Sequence, residues 1–197
     1  MLAQSKYLYS LSSAWLPPQS AYWQLEPELR LALTHDLEGQ LPSQSEIVHS
    51  YETFVSDAGT SASAQIPIQS LYEPWTLDPA CTLAFAQSRG LRRGDAALHM
   101  DHVLISLSIT FPDGLELDSD HLAVILNTAG VIAERFPEQL ATFSVDHLAW
   151  IEEYGRQALE AWSDSPQAAF YRALLRETIQ AIRPLVTSAT CQSFQNA

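Results

Sequence analysis

The side chains in this sequence able to bind metal or move protons are six histidines and 23 acidic residues, with two cysteines, Cys81 and Cys191. His99 and His102 stand three apart, a spacing that puts two imidazoles on one face of a helix, as metal ligands require. No thiolate or second histidine pair completes four ligands, so a metal-dependent enzyme built on His99 and His102 is the weakest of the readings considered. Three Asp-His pairs occur, Asp101-His102, Asp120-His121 and Asp146-His147. Adjacent helical residues point in different directions, so none is a ready-made dyad. Serine-hydrolase elbow, phosphate-loop, dinucleotide and zinc-protease signatures are all absent, and seven glycines leave little material for a phosphate cradle. The expectation is a protein without catalysis, cofactor or metal.

Two stretches carry side chains suited to recognition. In Pro67-Ile68-Gln69-Ser70-Leu71-Tyr72-Glu73-Pro74-Trp75, two prolines disfavour helix and present Tyr72 and Trp75 on a stiff loop. Aromatic anchors of that kind suit a peptide-binding surface, and equally they plug a core. Asp101-His102 lies between the first helical half and the next apolar segment. There the aspartate either caps the helix it precedes or meets a partner.

The elements that must hold these residues read as helices. Tyr7, Leu8, Leu11 and Trp15 repeat at helical spacing before Pro17-Pro18. Ser45 precedes a buried-stripe pattern at Ile47, Val48, Tyr51, Phe54 and Val55. Asp78-Pro79 and Gly90 predict the two ends of a further helix. The polar stretch from Ala58 to Gln65 reads as an exposed loop. His121 to Phe136 predicts a buried helix stopped by Pro137. Ser144 is placed to cap a long helix burying Leu148, Ile151, Leu159 and Trp162. Ser165-Pro166 opens a last one, closed by Pro184. Val103 to Phe111 alternates apolar and polar residues like a strand, but no partner strand stands nearby and a lone strand leaves its backbone unsatisfied. Helix is the reading adopted there.

Charge narrows the partners. Ten basic residues, one of them a lysine, stand against the acids for a net charge of −13. Nucleic acid and anionic membrane both demand clustered Lys and Arg, so neither is expected, and basic partners are. The N-terminal residues lack the apolar core of a signal peptide, and no apolar run is long enough to span a bilayer. A cytoplasmic location with reduced thiols is expected.

The order of these motifs resembles the TorD/DmsD/NarJ-type redox-enzyme maturation chaperones. The residues carrying the resemblance are Tyr7-Leu8-Tyr9-Ser10-Leu11-Ser12, then Pro67-x-x-Ser70-x-Tyr72, a helix ending near Gly90-Leu91, Asp101-His102, Trp150, and Phe170-Tyr171. The resemblance implies an all-α protein of two helical subdomains, 1–98 and 99–197, joined by a hinge near 97–102, either monomeric or exchanging domains as a dimer. It implies a cytoplasmic chaperone that binds the twin-arginine leader, or the apo form, of a molybdenum-cofactor reductase until the cofactor is inserted. Ser70, Tyr72, Asp101 and His102 are the positions it carries over, with Trp75 added from its loop. A generic acidic helical adaptor is the competing binding-protein reading.

Overall fold

The computed structural model describes residues 2–56 and 64–193, with side chains described from residue 3 to 187. Most of the Ala58–Gln65 loop, and the Cys191 thiol, therefore lie outside the described residues. Among those described, the chain is all-helical: α1 (Leu2–Ala14), α2 (Pro27–Asp36), α3 (Gln44–Phe54), α4 (Asp95–Leu107), α5 (Leu122–Arg135), α6 (Leu140–Leu148), α7 (Ile151–Ala161) and α8 (Ala169–Ser193). Short 3-10 turns at Gln69–Leu71, Pro137–Gln139 and Pro166–Ala168 join some of them. No described helix is long and apolar enough to cross a membrane.

One apolar core unites both halves of the chain. α1 lies along α5, and α8 packs on α6, α7, α2 and α3. Trp15 illustrates the join: its ring is fully buried against Tyr154 and Tyr171, and its indole N–H donates to Thr178 Oγ1 at 2.9 Å. Burying rings of this size makes a large contribution to the core, and each buried polar tip needs such a partner. The expected division at 98/99 falls inside α4, which runs unbroken through the proposed hinge. Buried residues from both sides of that position belong to one core.

Local chemistry moved several predicted boundaries. α3 is capped by Ser43, two residues before Ser45, because Glu46 completes a reciprocal capping box with Ser43. No helix forms over 78–90. Asp78 Oδ1 accepts the Ala80 N–H and closes a turn, while Trp75 and Thr76 donate their N–H groups to Ser88 and Ala86. With Leu83 and Phe85 left exposed, a helix there would have had no apolar stripe to bury.

The long helix expected after Ser144 is two. The Trp150 indole takes the His147 carbonyl at 2.8 Å, the oxygen that the Ile151 N–H would need for the helix to continue. Ser144 sits inside α6 and donates to Leu140 O. α8 runs on past Pro184, which interrupts it by one backbone bond and does not end it. The strand-like alternation does become helix from Val103 to Leu107. α4 then stops at Ser108, whose φ of 54° is left-handed, and Ile109 to Phe111 leave as loop.

Candidate functional site

Pro67 to Leu71 is bound to the start of α5 by its backbone. Leu122 N–H donates to Pro67 O at 2.8 Å and Gln69 N–H to Asp120 O at 3.0 Å. Ser70 N–H donates to the Asp120 carboxylate at 2.8 Å. Ile68 and His121 form an isolated antiparallel bridge. Asp120 is 1% exposed, and burial pushes its carboxyl above the usual range while its contact with the Ser70 amide pulls it part of the way back. His121 is the N-cap of α5, its Nδ1 accepting the Ala123 N–H at 3.2 Å. Burial, helped by the Arg92 charge, lowers its pKa to about 4, so the ring is neutral and can accept.

A second set of polar groups meets the turn from another side. Gln69 Nε2 donates to Asp146 O at 2.7 Å and to Glu73 Oε2 at 2.9 Å. A carbonyl can only accept, so the amide nitrogen faces it and Gln69 Oε1 is left as an acceptor. His147 Nδ1–H therefore donates to Oε1 at 2.9 Å, and His147 Nε2 in turn accepts from His99 Nδ1–H at 2.9 Å. The relay runs from half-buried Glu73 out to His99 on the exposed face of α4. Burial, then the neighbouring His99, brings His147 down to about 4. A second proton on His147 would set two N–H groups against each other.

The predicted site residues separate. Ser70 and Tyr72 are buried. Tyr72 stacks on Trp150 at 5.4 Å and meets Tyr154 edge-on at 5.2 Å, so it fills core. Trp75 is half-buried with its ring against Phe85, and its carbonyl accepts the Asp95 N–H. Asp101 and His102 are exposed, mid-helix on α4, so Asp101 is no cap: the helix begins six residues earlier. The Asp-His pair that meets the Ser70 turn is Asp120-His121, and the histidine of Asp146-His147 meets it through Gln69. Sequence reasoning had these two pairs in view without a reason to prefer them. The signal was present in His121 standing directly before a long apolar helix, where an N-cap belongs. Among the described residues, no three His, Cys, Asp or Glu side chains converge as metal ligands, and His99 with His102 does not complete a set.

The arrangement is a structural clamp: each buried titratable group is used on a backbone amide, an amide side chain or another ring. Comparison of the sequence with protein-family models and with curated proteins finds no match.

Proposed function

We propose that this chain is a non-catalytic chaperone that binds the twin-arginine leader, or the apo form, of a molybdenum-cofactor reductase and holds it until assembly is complete. The observation that carries the reading is the clamp. The proline, serine and tyrosine turn that enters the resemblance sits directly on an Asp-His pair, Asp120-His121, in an all-helical chain. The net charge of −13 suits a client segment bearing paired arginines. In this reading Ser70 and Tyr72 shape the scaffold from within, and contact falls to exposed groups. α4 offers one set, with Leu98, Asp101, His102 and Ile105 at i, i+3, i+4 and i+7; Leu98 is 52% and Ile105 74% exposed.

The test is affinity purification of the tagged chain from its native host, with titration calorimetry of the recovered partner's leader. A reductase catalytic subunit should co-purify, its leader should bind, and Asp101→Ala with Ile105→Ser should weaken retention of the whole subunit. Recovery of unrelated proteins, with no leader binding, would favour a general acidic adaptor.

A further inference from the structure

An open groove of about 780 Å³ lies between α1, the N-terminal end of α2, the 109–117 loop and the first turn of α5. Its volume is in the range of sites that enclose several apolar side chains. None of Ser70, Tyr72, Trp75, Asp101 or His102 lines it.

The groove's lining separates apolar and charged ends. Leu16, Ala123 and Val124 are buried residues facing it, while Phe111 and Tyr22 remain 37% and 46% exposed on its banks. The α1 serines in the lining do not present free donors. Ser10 donates to Lys6 O, Ser13 to Tyr9 O and Ser12 to Ala123 O, so these hydroxyls can offer a ligand acceptors but no O–H. At the α2 end stand Glu26 and Glu28. Glu28 is near enough to Tyr7 to oppose its ionisation. Lys6 is the cation within the lining, and Tyr9, also in the lining, bonds Glu134 beside Arg135. Two glutamates against one lysine in the lining leave the α2 end anionic.

We propose that this groove docks a peptide segment of another protein with an apolar run and a cationic end, the run lying between Phe111 and Tyr22 and the cations at Glu26 and Glu28. The charge complementarity selects this occupant over a second copy of the chain, which would bring a further net charge of −13. The proposal deepens the chaperone reading and rests on it only where it identifies the segment as a twin-arginine leader.

The test is fluorescence anisotropy with the full chain and three labelled peptides. One is a reductase leader, with two adjacent arginines before an apolar run. The second has the same residues shuffled, with the basic end and apolar run kept. The third is the leader with both arginines replaced by glutamine. Phe111→Ser, Tyr22→Ser and Glu28→Lys alter exposed positions, and circular dichroism melts confirm that each variant folds. Leader affinity should fall about ten-fold in each, as for loss of an interface anchor, and should be unchanged in the charge control Glu138→Lys. The glutamine peptide should bind more weakly than the leader, and Glu28→Lys should flatten the salt dependence. If the leader binds folded Phe111→Ser and Tyr22→Ser as tightly as the parent, the groove assignment is wrong and the chaperone reading survives. If the shuffled peptide binds and loses affinity in the variants while genuine leaders do not bind, the groove stands and the chaperone reading falls. Equal binding of the arginine and glutamine peptides, or no binding of any peptide, overturns the groove proposal.

Discussion

Acidification from pH 7.5 to 5.0 should destabilise this fold through His121 and His147. Both rings are buried and neutral, with pKa values of about 4 in the folded chain. In the unfolded chain each returns to about 6.5, so the unfolded state binds more protons throughout the interval. The sign follows: a depressed histidine leaves stability intact above about pH 6.5 and removes it as pH falls toward 4. For one such ring, linkage gives a loss of about 2 kcal/mol between pH 7.5 and 5.0, and about 4 kcal/mol for the two. That is a large part of the 5–15 kcal/mol typical of a domain.

Glu73 and Asp120 act in the opposite sense. Burial raises their carboxyls, so the folded state takes up protons more readily than the unfolded one. They therefore return some stability as pH falls through their raised values, and a variant isolates the histidine contribution from theirs. His121→Asn keeps a side-chain oxygen that can cap α5 and has nothing to titrate. Urea unfolding at half-unit pH steps should show the parent losing stability steeply below pH 6.5 and the variant losing about half as much. A parent curve flat from pH 7.5 to 5.0, or an unchanged slope in His121→Asn, would refute the reasoning.

Tyr72→Ala should cost about 3–5 kcal/mol in chemical unfolding, because it empties the space against Trp150 and Tyr154. Asp101→Ala, at an exposed mid-helix position, should stay within about 0.5 kcal/mol of the parent in the same assay. A Cβ at Gly130 would lie 2.6 Å from the Tyr9 ring, so Gly130→Ala should destabilise despite its better helix propensity. Tyr9→Leu should recover part of that loss in a double-mutant cycle of thermal melts. Asp120→Ala should cost about 1–3 kcal/mol by leaving the buried Ser70 N–H without its acceptor, and Asp120→Asn, which keeps an oxygen there, should cost less.

The sequence by itself determined that the chain is helical and where most of its apolar stripes lie. Periodicity is a local property, and α1, α3 and α5 each carry it within one run of residues. It also determined the net charge of −13, and with it the expectation of basic partners. Helix limits were legible where their causes are local, as at Pro137. They were not where a distant group decides: the Trp150 indole splits α6 from α7, and Trp75 and Thr76 draw the 78–90 segment back into a loop. Only the tertiary structure chose among the three Asp-His pairs. Asp120 meets Ser70 across 50 positions of sequence and His147 meets His99 across 48, and no short-range pattern encodes such encounters. The groove was equally hidden. Its floor comes from α1 and α5, its banks from loops before α2 and after α4, and these meet because both helices bury their stripes in one core.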